Sequence, residues 1–186
     1  MRTFPFRMSA AAAGCLLVFT LPCLGDGNPS KEFRATVEIT TEQGTRSKPV
    51  TVIISRPLTA EAARPLRDIL EKGGQQALMA AIRGQNRGRL SLGGIEGSLD
   101  LVVADKTSEG TRYIVVTARN PRYEEINENR PTLDYPFAVL DFVVPDFGSG
   151  EGKFYPHAAL SIDADGHVKV DHYESEPGRI KDIKAP

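Results

Sequence analysis

The sequence contains no tryptophan and only two cysteines, Cys15 and Cys23, which both lie within the first 25 residues. If that segment is removed, the rest of the chain has no thiol, so it can form no disulfide and offers no cysteine nucleophile or metal ligand. The lack of tryptophan removes a side chain that commonly anchors binding interfaces. These absences exclude a disulfide scaffold and cysteine chemistry as the basis of function.

The sequence also has no excess of either charge, and its only long apolar run lies near the start. The formal net charge is −1 for 186 residues. Without the first 25 residues, 21 basic and 24 acidic residues remain. This balance gives no general attraction to nucleic acid or anionic lipid. After the first 25 residues, no apolar segment approaches the length of a membrane span, which is about 20 residues. We therefore expect no nucleic-acid partner and, after removal of the first segment, a soluble chain without an integral membrane span.

The first 25 residues have the three-part layout of a secretory signal peptide. Arg2 and Arg7 precede an apolar stretch at residues 10–21, and small residues occupy positions −3 and −1 of a cleavage point after Gly25. We predict cleavage near Gly25 and export to the periplasm or out of the cell. The residues that flank the two cysteines disfavour a lipid anchor.

The 161 residues that follow the signal peptide match the length of about one domain. Residues 26–32 are polar, with glycine and proline, and indicate a flexible leader. We predict a single α+β domain over residues 33–175. Residues 176–186 carry many charges and Pro177, which favours a charged tail that leaves the sheet.

Residue patterns within 33–175 favour mainly strands. Residues 33–40 alternate between apolar and polar side chains, and the apolar segment 49–56 follows a turn, which predicts a hairpin. Further strands are expected at residues 89–92, 98–104, 111–118, 135–144, 154–163 and 167–173. Short turns between these segments favour antiparallel pairing, and Asp165-Gly166 is a strong hairpin signal.

One stretch between the first hairpin and the later strands has helical spacing. Thr59 is a plausible N-cap, apolar residues recur at helical intervals, and Gly73 and Gly74 predict the end of the helix. A second short helix is expected at residues 75–82. Pro65 either kinks the first helix or marks its true start. We therefore predict a curved antiparallel sheet of about six to eight strands, packed on one or two short helices inserted after the second strand.

The long loop at residues 120–134 is the best candidate for a binding site. Loops of this length inside a compact domain are usually functional or disordered. The alternative is a solvated crossover held together by its own salt bridges. The predicted binding residues are Arg122, Tyr123, Glu124, Glu125, Arg130 and Asp134.

Two other segments resemble ligand-binding loops but fit turns better. The sequence from Asp163 to Gly166 suggests a calcium loop, but its glycine and ligand positions depart from the EF-hand spacing. The glycine-rich segment 148–153 lacks the spacing of a phosphate-binding P-loop. We expect a hairpin turn at the first segment and a tight turn at the second.

Three residues support an alternative in which the protein is a hydrolase. Alternation places Asp141 on the same face as apolar neighbours, where a carboxylate can act as an acid or base. His157 and His167 flank a predicted hairpin and would approach each other if the strands paired in register, as an acid–base or metal pair. A third histidine, His172, is expected at the edge of the core. No complete catalytic set or metal signature is present, so we predict no catalytic residue, metal or cofactor.

Several segments together resemble exported proteins of Gram-negative, Acidobacteria-like bacteria that have no established activity. The segments that carry the resemblance are residues 66–75, 93–95, 116–119, 134–137 and 148–152. The resemblance implies export and transfers no functional residue. The leading hypothesis is a non-enzymatic exported domain that binds a small ligand or an envelope protein. A structural accessory of envelope assembly is a further alternative.

Overall fold

The computed structural model describes residues 30–41, 44–118, 134–174 and 176–184. The predicted signal peptide, both cysteines and most of the predicted binding loop lie outside these ranges. Within them, the chain forms one helix, α1 (Ala60–Ile82), and ten strands. The strands are β1 (Lys31–Thr41), β2 (Gly44–Ile54), β3 (Gly88–Leu92), β4 (Ile95–Ser98), β5 (Leu101–Thr107), β6 (Gly110–Ala118), β7 (Phe137–Val144), β8 (Gly150–Ile162), β9 (Val168–Tyr173) and β10 (Gly178–Lys184).

The ten strands form one sheet, and all neighbouring strands in it pair antiparallel. The order is β4-β3-β2-β1-β10-β8-β7-β6-β5, and β9 pairs with the second half of β8. This confirms the predicted α+β class with an antiparallel sheet. The number of strands is ten, above the predicted six to eight.

The two strands at the ends of this order, β4 and β5, follow each other directly along the chain. Only Leu99 and Asp100 separate β4 from β5. The Leu99 N–H donates to the carbonyl of Gly88 at 3.0 Å, and the Asp100 N–H donates to the carbonyl of Val116 at 2.9 Å. These two adjacent residues therefore hydrogen-bond towards opposite ends of the sheet, one to β3 and the other to β6.

Apolar side chains form one cluster on each face of the sheet. The interior cluster draws residues from strands along the whole order, among them Phe33, Val52, Leu90, Val102, Phe142 and Ile180. The second cluster lies on the opposite face, where Leu78, Met79 and Ile82 of α1 pack mainly on β8 and β5. Burial of these two clusters removes apolar surface from water and is the main source of stability.

The helix α1 includes both of the predicted short helices. Thr59 caps it, since its hydroxyl oxygen accepts a hydrogen bond from the N–H of Ala62 at 3.3 Å. The helix continues through Pro65, and its one non-helical residue is Gly74, at φ +67°. Glycine adopts this left-handed region without the strain of a Cβ. Two helical segments therefore meet at a kink at Gly74, as the Gly73-Gly74 pair and the separate helix at residues 75–82 predict.

The prediction of a charged tail at residues 176–186 is wrong. Residues 178–184 form β10, which lies inside the sheet between β1 and β8, with Ile180 and Ile183 only 2% and 1% exposed. The register shifts between these two isoleucines, and Asp182 between them has φ +56°. The irregularity turns both isoleucines inward although they are three residues apart. This spacing hides the strand from a search for simple alternation.

The glycine-rich segment 148–153 is partly turn and partly strand. Gly148 lies in the turn after β7, at φ +92°. Gly150 and Gly152 already belong to β8, where a Cβ would collide with the backbone carbonyl oxygens of Val143 and Asp141. These two glycines therefore allow the close approach of β8 to β7.

Candidate functional site

An open cavity of about 590 Å³ lies at the end of the interior where β3 and β4 meet. Its wall is mainly apolar and comes from β3, β4, β6, β7 and β8. The principal side chains are Leu90, Leu92, Ile95, Thr117, Ala138 and Phe154. These residues were not identified from the sequence, because no motif marks them and they are far apart along the chain.

Strand register explains why these side chains converge. Leu92 pairs with Val50 on one side and with Ile95 on the other, and paired residues in an antiparallel sheet share a face. Val50 is buried in the interior cluster, so Leu92 and Ile95 lie on the interior face at its end. Ile95 is 73% exposed, which places it at the rim of the cavity.

The interior next to this cavity is filled. The space among Phe33, Val52, Leu140 and Phe142 holds only about 10 Å³. The three aromatic rings of Phe33, Tyr113 and Phe142 pack with centroids 5.1 to 5.7 Å apart. The cavity is therefore a pocket that ends on a packed core.

One buried carboxylate, that of Asp100, borders the cavity. Asp100 is 4% exposed. Its Oδ1 accepts a hydrogen bond from the N–H of Gly84 at 2.8 Å, and its Oδ2 accepts one from the N–H of Ala118 at 2.7 Å. Both oxygens thus serve backbone groups and tie the end of α1 to the end of β6. We assign Asp100 a positioning role in the wall of the cavity.

Lys48 is the one cationic side chain among the described residues that line the cavity. It lies two residues before Val50 on β2, on the face that turns inward. Its stem packs against the turn between β3 and β4, where a Cβ on Gly93 would lie 2.8 Å from its Cδ. Lys48 forms no ion pair with a described residue, so its ammonium group is available at the cavity.

The described residues on either side of the predicted binding loop lie beside this cavity. Thr117, Ala118 and Ala138 line it, and Ala118 pairs with Phe137 across β6 and β7. Asp134 is exposed and lies three residues before β7. The other predicted binding residues, Arg122, Tyr123, Glu124, Glu125 and Arg130, lie outside the described residues, so their role stays a prediction.

Asp141 lies on the other face of the sheet from the cavity. It shares its face with Phe137 and Val139, which confirms the alternation read from the sequence. Both carboxylate oxygens accept hydrogen bonds from Arg112, Oδ1 from Nε at 2.8 Å and Oδ2 from Nη2 at 2.6 Å. Hydrogen bonding to Asp141 raises the pKa of Arg112 above its ordinary value, against the opposing effect of partial burial. The carboxylate is thus fixed in a structural ion pair.

The histidines His157 and His167 do not meet. The register of β8 and β9 places Tyr173 opposite Ala158 and Val168 opposite Ile162. His157 therefore lies at the open end of this hairpin and His167 at its turn, roughly 20 Å apart at about 3.3 Å per residue. No group of three or more His, Cys, Asp or Glu residues in the described ranges is arranged to hold a metal.

Each histidine has a carboxylate neighbour of its own. His157 Nδ1 lies 2.9 Å from Glu174 Oε2 without the angles of a hydrogen bond, so this contact is an ion pair only when the imidazole is protonated. His167 Nδ1 lies 3.2 Å from Asp105 Oδ2. His172 is exposed beside Asp171 at 2.8 Å, so its predicted place at the core edge is wrong. The bulge opposite residues 159 and 160 breaks the alternation on which that prediction depended.

The segment from Asp163 to Gly166 is a hairpin turn, as predicted. Asp163 Oδ1 accepts hydrogen bonds from the backbone N–H groups of Asp165 at 3.1 Å and His167 at 2.9 Å. Desolvation opposes the shift, but these hydrogen bonds and the ammonium of Lys169 lower the pKa of Asp163 below its ordinary value. The carboxylate therefore stabilises the turn.

Comparisons of this chain with protein-family models, with curated proteins and with solved structures found no match. The resemblance to exported bacterial proteins therefore stays a prediction. Within the described part of the chain, α1 is not apolar enough to cross a membrane. Function must be inferred from the geometry of the cavity and its surroundings.

Proposed function

We propose that the protein is an exported, non-enzymatic binding protein that holds a small, mainly apolar ligand in the cavity beside β3 and β4. The observation that carries this proposal is the mainly apolar cavity of about 590 Å³ next to a filled core. Ligand sites typically occupy about 300–1,000 Å³, with apolar walls and a few polar groups. Contact of an apolar ligand with Leu90, Leu92 and Phe154 would contribute about 25 cal/mol per Å² of surface removed from water.

The connection between the end strands supports a concave site. Only Leu99 and Asp100 separate β4 from β5, and we propose that the inward side chains beside this connection form a cup. Lys48 favours a ligand with an anionic end, because its ammonium group has no ion-pair partner among the described residues. We therefore infer an apolar body and a carboxylate-like end for the ligand.

The loop at residues 120–134 is proposed as a second part of the same site. The observation that supports this is that Ala118 and Ala138, on either side of the loop, lie in the wall of the cavity. Arg122, Tyr123, Glu124, Glu125, Arg130 and Asp134 would contribute polar contacts there.

An envelope protein is the second candidate partner. Ile95 is a large apolar side chain that projects from the rim of the cavity, and exposed apolar residues of this kind favour contact with another protein. The hydrolase alternative has less support, because Arg112 engages both oxygens of Asp141 and the β8–β9 register separates His157 from His167.

Titration with the fluorescent fatty acid 11-(dansylamino)undecanoic acid tests the small-ligand proposal. Ala138→Leu adds three carbons to the wall of the cavity and should weaken binding at least tenfold. The matched control Ala80→Leu adds the same atoms to an exposed position on α1 and should leave binding within twofold. Thermal unfolding of both variants establishes that they are folded. Equal binding by the two variants, or no saturable binding by the original protein, would contradict the proposal.

A further inference from the structure

We propose a second binding site, for a phosphate-type oxyanion, at the opposite end of the interior. Its donors are Lys31 on β1, Lys106 on β5, and Thr111 and Tyr113 on β6, around an open cavity of about 480 Å³. This site does not depend on the ligand proposed for the cavity beside β3 and β4, because the filled core separates the two cavities.

Strand alternation turns all four side chains inward. Lys31 shares a face with Phe33, and Thr111 shares one with Tyr113; both aromatic residues belong to the interior cluster. Lys106 follows Val102 and Ala104 of the same cluster at intervals of two residues. The donors therefore converge from three strands although their charges and hydroxyls suggest a solvent-facing edge.

Tyr113 supplies the observation that points to a ligand. The residue is 2% exposed, and its ring is held between Phe33 and Phe142. Its hydroxyl oxygen accepts a hydrogen bond from Lys31 Nζ at 3.1 Å. Since an ammonium group cannot accept, the hydroxyl proton of Tyr113 has no acceptor among the described residues. The hydroxyl borders the open cavity, so its proton can be donated to an oxygen atom of a ligand there.

The charges around the cavity favour an anion. Lys31 and Lys106 form no ion pair with a described residue. Of the two carboxylates in the lining, Glu32 accepts a hydrogen bond from Arg34 Nε at 2.7 Å, and Asp146 is exposed. Two ammonium groups, a phenol and a hydroxyl then remain as donors. Four donor groups match the oxygens of a tetrahedral oxyanion better than the two oxygens of a carboxylate.

The test is calorimetric titration of the purified protein with inorganic phosphate, glycerol 3-phosphate and acetate, at constant ionic strength. We expect saturable binding of one phosphate per chain, with acetate at least fivefold weaker. If glycerol 3-phosphate binds at least as tightly as inorganic phosphate, the ligand is a phosphomonoester. If inorganic phosphate binds ten times more tightly, the ligand is the free ion. Acetate binding as tightly as phosphate would contradict the tetrahedral assignment.

Variants locate the site. Lys31→Met and Lys106→Met change exposed side chains, so they should fold, and each should weaken phosphate binding about tenfold. Tyr113→Phe keeps the packed ring and removes the hydroxyl donor, and should weaken binding about fivefold. Lys72→Met, at an exposed position on α1 away from both cavities, is the matched control and should leave phosphate binding within twofold. The proposal fails if phosphate does not saturate the protein by 10 mM, or if Lys72→Met weakens binding as much as Lys31→Met.

Discussion

Arg112 binds Asp141 through two parallel hydrogen bonds, from Nε to Oδ1 at 2.8 Å and from Nη2 to Oδ2 at 2.6 Å. The two residues lie on neighbouring strands, β6 and β7, on the face of the sheet that carries α1. Such two-point contacts are more specific than a single charge pair because the planar guanidinium matches the carboxylate. An acidic residue in an apolar strand is here part of the scaffold.

We first predict that this pair stabilises the fold. Asp141→Asn should lower the free energy of unfolding by about 1 kcal/mol, the size expected for a partly buried charged hydrogen bond. Urea unfolding of Asp141→Asn, Arg112→Met and the double variant measures the coupling between them. Effects that simply add in the double variant would show that the two side chains do not interact in solution.

Asp100 should be among the least replaceable residues. Asp100→Ala removes the charged acceptor of the Gly84 and Ala118 N–H groups and should cost about 2–4 kcal/mol of unfolding free energy. Asp68→Ala, which removes an exposed carboxylate from α1, serves as the control and should cost less than about 0.5 kcal/mol. Urea unfolding measures both. A loss in Asp100→Ala no greater than in the control would argue against the two hydrogen bonds.

Gln75 joins the break in α1 to β8. Its Nε2 donates to the carbonyl of Leu160 at 2.8 Å, and its Oε1 accepts from the N–H of the same residue at 3.0 Å. Gln75→Ala should therefore lower the free energy of unfolding by about 1–3 kcal/mol. Gln85→Ala, which changes an exposed glutamine after the helix, should be nearly neutral in the same urea measurement.

The last strand should be essential. Ile183→Ala empties a site that is 1% exposed and should cost about 2–4 kcal/mol. The adjacent Lys184→Ala, at an exposed position, should cost less than about 0.5 kcal/mol. A chain truncated after residue 176 should fail to give a cooperative thermal transition. A truncated chain that unfolds cooperatively at the original temperature would refute the central position of β10.

Asp163 should make stability depend on acidity. Its pKa is lower in the folded state than in the unfolded state, so its ionised form stabilises the fold above the unfolded-state pKa. That contribution is lost as the pH falls through the lower, folded-state pKa. Asp163→Asn should therefore flatten the decline of unfolding free energy between about pH 5 and 2. Glu109→Gln controls for the loss of one negative charge and should leave the slope at that of the original protein.

Much of the scaffold could be predicted because its segments follow simple periods. The alternation of residues 33–40 places Phe33 and Val37 in the interior cluster, as the structure confirms. The helical spacing before Gly73 and the turn at Asp165-Gly166 are also confirmed. In each case, the pattern that predicts the element lies within a few consecutive residues.

The remaining features depend on irregular backbone or on distant residues. The bulge at Asp182 hides β10, since its two buried isoleucines do not alternate with a period of two. The cavity beside β3 and β4 joins Lys48 to Phe154, more than a hundred residues later in the sequence. Neither strand pairing nor a bulge can be predicted from a few neighbouring residues. The sequence therefore indicated the polar loop as the site and did not indicate the apolar cavity beside it.

The place of β10 has a consequence for how the protein folds. Arg34 of β1, the first strand along the chain, pairs with Lys184 of β10. On its other side, β10 pairs with β8. Until β10 arrives, the edges of β1 and β8 have no partner there, and such bare edges invite pairing with other chains. Because contacts between distant residues slow folding, the sheet should be completed only after β10 has left the ribosome. A growing chain therefore stays available for unfolded transport, or for a chaperone, until β10 has been synthesised.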